Sequence, residues 1–438
     1  MVSLTTERRT ALFIAPVTPS DRGNGLAMRT GFLLDSYARC FDVDLVIIPV
    51  AEGNTAEITP FVVNRVRRAT ILTLPPPDTH FALISSIVDV RERLAAFRQY
   101  GRPSLTASLT ADIQCALAAW VADERYAIIH VSRLYLSIVA TAWMKLGSNP
   151  RCAVLDCDED DAHAYRRLAA LERKRGRYLR ASWAEAEAEA FRLMAVQWLP
   201  RFDLVLAASA SEARSLKIWA GQTPVNVVPN VVPPASGQWL PRRGGGSCRN
   251  VIFVGTLSYL PNIDAVMWFA SRIWPRLRSA VPFPVRLTII GQGAPRQIVD
   301  LGRRFDILVA DGVKDVAPFY QMADLSVVPI RAGGGTRIKL LESASYRVPV
   351  VATRFGAAGT IFRTNREILL ADDERAFSRA CSKLLINKRL ASRLASWAYA
   401  TVRREYDFER CARRLGAQLL MLVGRGRSED DRSVGQSR

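Results

Sequence analysis

No Cys-x-x-Cys pair occurs among the seven cysteines, Cys40, Cys115, Cys152, Cys157, Cys248, Cys381 and Cys411, which lie scattered along the chain. That spacing argues against a zinc framework, and an odd count with no secretory leader points to reduced, mostly buried thiols. Long apolar runs are missing too. The best, Leu134 to Trp143 and Leu419 to Val423, fall well short of the roughly 20 residues needed to span a bilayer. The opening segment, Met1 to Ser20, carries Glu7, Arg8 and Arg9 before the run Ala11 to Val17, which Pro16 interrupts and no convincing small-residue cleavage site follows. It reads as a first buried strand, not a signal peptide. Basic stretches interleaved with aromatic platforms are absent, which leaves a nucleic-acid partner without a docking motif. Nothing resembles a short-period repeat array.

What is present is enough apolar material for more than one core. At 438 residues and 49% hydrophobic content, two domains are the natural expectation. A net charge of +19 attracts anions such as nucleic acid, acidic lipid or phosphorylated small molecules. The excess is mostly arginine spread along the chain, so a solvated surface explains much of it equally well.

Both halves alternate strand-like and helix-like patterns. Ala11 to Val17, Val43 to Val50, Thr70 to Leu74, Ala127 to His130, Ala153 to Asp156 and Leu204 to Ala207 read as strands, with helices at Ala27 to Arg39 and near Ala111 to Asp123. Thr55 to Ala111 has no clear place in this scheme. Tyr165 to Pro200, rich in Lys, Arg and Glu, reads as one or two long, partly exposed helices and as a surface for a membrane or partner. A Pro-, Gly- and Ser-dense stretch ends the first domain, residues 1–232, and gives a linker over 233–250. The second domain, 251–405, restarts the same grammar with strands at Val251 to Val254, Val285 to Ile290, Ile307 to Val309, Leu325 to Pro329 and Val348 to Thr353. A helix over 406–424, packing back toward the first domain, and a disordered tail over 425–438 complete the expectation. The fold class is α/β: two doubly wound domains that offer the carboxyl ends of their strands to a shared crevice.

The most informative segment is Pro329 to Thr353, PIRAGGGTRIKLLESASYRVPVVAT. Gly333, Gly334 and Gly335 allow positive φ and close backbone approach, and they lead into a helix whose first amides, from Thr336 and Ile338 onward, point at an anion. Arg337 and Lys339 add full positive charge suited to a diphosphate. Glu342, one turn farther on, suits a pair of vicinal hydroxyls such as those of a ribose. A surface loop before an ordinary amphipathic helix is the bland alternative, and for one glycine-rich loop it is the commoner outcome.

Context shifts that balance. The segments Phe253-Val254-Gly255-Thr256-Leu257 with Pro261-Asn262, Leu287 to Gly293, Asp311 to Asp315, Tyr320 to Asp324, Val328-Pro329, Gly335 to Glu342 and Val348 to Thr353 occur in order. Together they resemble the donor-binding domain of the family-four retaining glycosyltransferases, group 1, of the GT-B fold with two Rossmann-like domains. The resemblance implies metal-independent transfer from a nucleoside diphosphate sugar with retention of anomeric configuration; a cytoplasmic enzyme of glycan or exopolysaccharide assembly is then expected, its basic surface near Tyr165 to Arg180 a peripheral contact at the inner face of the membrane. It implies no cofactor beyond the nucleotide-sugar co-substrate, and a glycan, lipid-linked or small-molecule acceptor. Donor contacts are then expected at Gly255, Thr256, Asn262, Gly291, Val313, Gly333, Gly334, Gly335, Thr336 and Ile338, with Arg337, Lys339 and Glu342 in the catalytic set. Glu342 corresponds to the second Glu of the family's two-Glu motif. The first is Gly334 here, and the basic residues that flank the first donor loop are replaced at about Thr256 and Asn262. The loss at Gly334 motivates an alternative: an inactive GT-B protein that binds nucleotide or a partner enzyme.

The first half fits the acceptor-binding partner domain less tightly, through Gly23-Asn24-Gly25 after the first strand and Phe202 to Ala207 with Ser209. Acceptor contacts are expected at Gly23, Asn24, Gly25, Asp158 and Asp160, and a catalytic or acceptor role at His130 or Arg133, although a lone strand-end histidine is more often structural. The run Asp156 to Asp161 also admits a metal-binding Asp156-x-Asp158 pair or a helix cap. The better diphosphate site in the second half disfavours the metal.

Overall fold

The computed structural model describes residues 8–50, 56–122, 124–144, 152–232, 248–313, 315–334 and 338–435, with only the backbone over 141–144 and 425–435. The chain divides into two units. The first comprises Met1–Asp21, Leu26–Pro229 and Glu409–Arg438, the second Arg22–Gly25 and Asn230–Phe408.

In the first unit the order is β1 (Thr10–Ala15), α1 (Gly25–Ala38), β2 (Asp42–Ile47), α2 (Pro60–Val63), β3 (Arg68–Ile71), α3 (Thr79–Ser86), α4 (Val90–Tyr100), α5 (Ala111–Val121), β4 (Ile128–Ser132) and α6 (Ser137–Met144). It continues with β5 (Cys152–Asp158), α7 (Asp161–Lys174), α8 (Tyr178–Trp198), β6 (Leu204–Ala207), α9 (Ala210–Lys217) and β7 (Val225–Val227). The seven strands pair in parallel in the order β3-β2-β1-β4-β5-β6-β7. β1, β2, β4 and β5 are buried almost throughout, as their continuous apolar runs require in a sheet covered on both faces. The order reverses between β1 and β4, which opens a crevice at the carboxyl ends of those strands.

The second unit contains β8 (Arg249–Val254), α10 (Leu260–Trp268), a π-helical turn (Phe269–Ile273), α11 (Trp274–Ala280), β9 (Val285–Gly291), α12 (Arg296–Phe305), β10 (Leu308–Asp311), α13 (Ala317–Met322) and β11 (Leu325–Val328). Then follow α14 (Ile338–Ser345), β12 (Val350–Ala352), β13 (Leu369–Leu370), α15 (Glu374–Ile386) and α16 (Lys388–Glu405). Its six strands are also parallel, in the order β10-β9-β8-β11-β12-β13, and here the reversal falls between β8 and β11.

Two expectations need correction. Residues 248–250 are not linker, because β8 begins at Arg249; the remainder of that linker, 233–247, lies outside the described residues. The tail is not wholly without structure either. The final helix α17 runs from Phe408 to Gly435, through most of the segment whose polarity suggested disorder. Its apolar positions Ala412, Leu415, Leu419 and Val423 recur at helical spacing and are buried. Within the first unit, Arg39 of α1 donates two hydrogen bonds to Glu409, at 2.6 and 2.9 Å. The unplaced region 55–111 holds α3 and α4, a hairpin whose Phe97 stacks on Trp183 of α8 with centroids 4.6 Å apart.

Candidate functional site

The loops that follow β8 and β11 flank the strand reversal of the second unit, and they meet through backbone and glycine. The Gly255 amide donates to Ile290 O at 3.0 Å and the Leu257 amide to Gln292 O at 2.8 Å, so the first loop lies across the end of β9. A methyl built on Gly291 would stand 1.9 Å from the Gly255 carbonyl oxygen, a contact that only glycine allows. Gly333 has φ +100°, and a methyl there would meet the Tyr259 hydroxyl at 2.9 Å and Pro261 Cγ at 3.1 Å. The glycine loop is therefore pressed onto the start of α10.

Two polar clasps hold this arrangement. Arg331 donates to both carboxylate oxygens of Asp264, at 2.9 and 2.8 Å, and its guanidinium lies over Trp268. Lys339 donates from Nζ to Asn262 Oδ1 at 2.7 Å, stands 4.6 Å from the Phe253 ring centroid and lies against Gly255. Asn262 in turn donates from Nδ2 to Thr256 O at 2.8 Å. One side chain of α14 thereby reaches the first loop and brings a cation to it.

Glu342 lies one turn beyond Lys339, and its Oε2 accepts a hydrogen bond from the Tyr320 hydroxyl at 3.0 Å. Burial pushes its carboxyl above the usual range, while Tyr320 and the nearby Lys339 act in the opposite direction. Tyr320 is itself fully buried and stacked on Tyr346. Val313 donates its amide to Gly291 O at 3.4 Å. Of the expected donor set, Gly255, Thr256, Asn262, Gly291, Val313, Gly333, Gly334, Ile338, Lys339 and Glu342 line or adjoin these two loops; Gly335, Thr336 and Arg337 lie outside the described residues.

Residues 248–387 match the family model for Glycosyl transferases group 1. That segment is similar to this family. Among solved structures, the chain resembles a sucrose-phosphate synthase from Thermosynechococcus elongatus at 15% identity, over 95% of this chain and 100% of that one, with a TM-score of 0.66. It also resembles HepE of Anabaena, solved with UDP and glucose, at 14% identity over 94% and 100% of the two chains, with a TM-score of 0.61. These likenesses establish the GT-B fold with its two Rossmann-like units. A relative from Klebsiella pneumoniae, described as an uncharacterized 44.6 kDa protein in the cps region, is 22% identical over 166 residues. That match takes in 36% of this chain and 42% of the relative, less than half the length of either.

Outside residues 248–387, the first unit places the residues singled out in the first half of the sequence. His130 is a core residue, the structural role that a lone strand-end histidine more often has. It has no accessible surface, stacks on Phe13 with centroids 4.2 Å apart, and makes 3.1 Å contacts through Nδ1 with Tyr37 and through Nε2 with Ser132. Burial, with Arg29 nearby, lowers its pKa to about 3, so the ring is neutral. Arg133 adopts φ +75° at the end of β4, which turns its side chain into an acidic cage of Asp158, Glu159 and Asp161. Asp158 follows a register shift in β5, has φ +61° and is shared between Arg29 and Arg133. Asp160 caps α7 through the His163 amide at 3.1 Å and also accepts from Ser215, which realises the helix-cap alternative.

Asp156 is engaged by Arg29, whose Nε and Nη2 reach its two oxygens at 2.8 and 2.5 Å. With both Asp156 and Asp158 paired to guanidinium, the Asp-x-Asp pair is neutralised without a metal. Gly23 has φ +100° and is exposed, and the segment Arg22–Gly25 groups with the second unit. Arg29, Asp264 and Arg331 were not singled out from the sequence, and Asp161 and Tyr320 figured there only as members of longer segments. They pair across long separations that no local pattern marks.

Proposed function

We propose that the chain transfers a sugar from a nucleoside diphosphate sugar to an acceptor, with retention of anomeric configuration, in glycan or exopolysaccharide assembly. The observation that carries this reading is the cation of Lys339 held on the glycine-to-glycine crossing of Gly255 and Gly291, with Glu342 one turn away. The diphosphate would take the Lys339 ammonium, the glycine-loop amides and Arg337. The Glu342 carboxylate would accept the ribose hydroxyls. Such a site accelerates departure of the nucleotide by stabilising charge on the leaving phosphates, through donors placed before the reaction starts. The UDP complex of HepE supports a nucleotide donor, and the cps-region relative supports polysaccharide synthesis. The acceptor is a glycan, lipid-linked or small molecule. The exposed Tyr178 and Leu179 at the start of α8, beside Arg175, Arg177 and Arg180, favour a peripheral contact with anionic membrane.

The test is a panel of labelled nucleotide sugars, scored first for binding by thermal shift and then for transfer or hydrolysis. Binding and turnover of at least one donor are expected. Gly334, standing where the family has a Glu, favours a second reading, a GT-B protein that binds nucleotide without catalysis. Binding without any turnover across the panel would establish that reading instead.

A further inference from the structure

Between the α3–α4 hairpin and helices α5, α6 and α8 of the first unit lies a cavity of about 600 Å³. It follows the seam between two separately packed clusters. Leu109 and Met194, with Trp198 against them, belong to the main core, whereas Tyr100 closes a satellite cluster with Ile84, Leu94 and Phe97. Each cluster completes its own packing, and the seam stays open. A volume between about 300 and 1,000 Å³ with mostly apolar walls is the usual form of a small-molecule site.

The polar side chains of the lining include Asp78, Arg102 and Thr110 together with His80, Gln114 and Gln197. Asp78 is fully engaged: it accepts from the Tyr100 hydroxyl at 2.6 Å and the Phe81 amide at 2.8 Å, and lies 3.5 Å from Arg102 Nη1. Arg102 also donates from Nη2 to Thr106 O at 3.0 Å, yet its Nε is buried with no hydrogen-bond partner. Thr110 occupies the position before α5 without capping it, and its hydroxyl is likewise buried and unpartnered. Leaving a buried polar atom unmet costs about 1–3 kcal/mol, so these two residues of the cavity lining favour an oxygen brought from outside. Because Asp78 offsets the charge of Arg102, that oxygen need not be ionised.

We propose that this cavity binds an amphiphile, with its apolar chain or ring against Leu109, Met194 and Trp198 and a hydroxyl or phosphate oxygen on Arg102 Nε and the Thr110 hydroxyl. None of the residues expected to touch donor or acceptor lines it, and the inference stands whether or not the second unit binds a nucleotide. The probes are octyl glucoside and octyl phosphate below their micellar concentrations, with methyl glucoside as the head group alone, followed by calorimetry and by tryptophan fluorescence of the full chain. One or both octyl compounds should bind at a single site at least tenfold more tightly than methyl glucoside; which one binds tells a glycoside head from a phosphate head.

Arg102→Leu should weaken that binding about tenfold, the worth of one hydrogen bond, and Gln114→Trp, which fills the cavity, should abolish it. The thermal midpoint of each variant serves as the folding control. Should Gln114→Trp fail to fold, Leu193→Trp at the half-exposed rim blocks the entrance instead. Octyl compounds that bind no better than methyl glucoside, or that bind well-folded variants as they bind the parent, would overturn the proposal.

Discussion

Lys339 joins two loops and supplies a charge through one side chain. Lys339→Met removes the tie to Asn262 and, on the proposed donor site, a charge-assisted bond to the diphosphate, so UDP affinity by calorimetry should fall about 10- to 100-fold. An unchanged affinity would show that the ammonium does not touch the nucleotide. Glu342→Gln keeps the Tyr320 contact but loses the charge, and should raise the donor KM while largely preserving the thermal midpoint. In the first unit, burial pushes Asp161 up to about 7 despite Arg133 beside it. The folded state therefore binds the Asp161 proton more tightly than the unfolded chain, whose Asp titrates near 3.9. Stability from this group is present below that lower value and is lost as pH rises toward about 7. His130 runs the other way: its folded pKa is depressed, so its contribution is present above about 6.5 and is lost as pH falls toward about 3. The two slopes oppose each other across mildly acidic pH. Asp161→Asn should unmask the histidine, and urea midpoints measured from pH 4 to 7 should then climb more steeply with pH than those of the parent. A profile unchanged by the substitution would remove Asp161 as a titrating group.

Elements rather than single residues fix where the two donor loops lie. Gly291→Ala would drive a methyl into the Gly255 carbonyl, so β9 and the first loop must separate; a loss of about 3 kcal/mol or more is expected in denaturant unfolding. At the turn between α7 and α8, Tyr178→Ser with Leu179→Ser should weaken binding to anionic vesicles while leaving soluble donor turnover intact. If the parent shows no affinity for such vesicles even at low salt, the membrane contact is excluded. Strands and glycine loops were legible because continuous apolar runs and Gly255, Gly291 and Gly333 answer to local backbone geometry. The α3–α4 hairpin was not, since its apolar face is completed by Trp183, more than eighty residues away in sequence. The Asp264–Arg331 clasp escaped for the same reason: each residue alone reads as an ordinary surface charge. For His130 the sequence left a functional and a structural role open, because the strand end it marked is not one in space: β4 runs on to Ser132.

At the scale of the whole molecule, the second unit is continuous apart from Arg22–Gly25, whereas the first is assembled from both ends of the chain. A saturating nucleotide at 100 times its Kd should add about 2.7 kcal/mol to the unit that holds it. Removing residues 409–438 deletes Leu415, Leu419 and Val423 from a buried face, so the first unit of the truncated chain should unfold at lower temperature. On the ribosome, the β-sheet that starts with Thr10 is made first, yet the α17 helix that completes its unit arrives only after the whole intervening second unit has emerged. An unfinished apolar seam thus waits until the intervening unit has been made, and a stall before α17 would leave that unit free to fold while the first still lacks this helix.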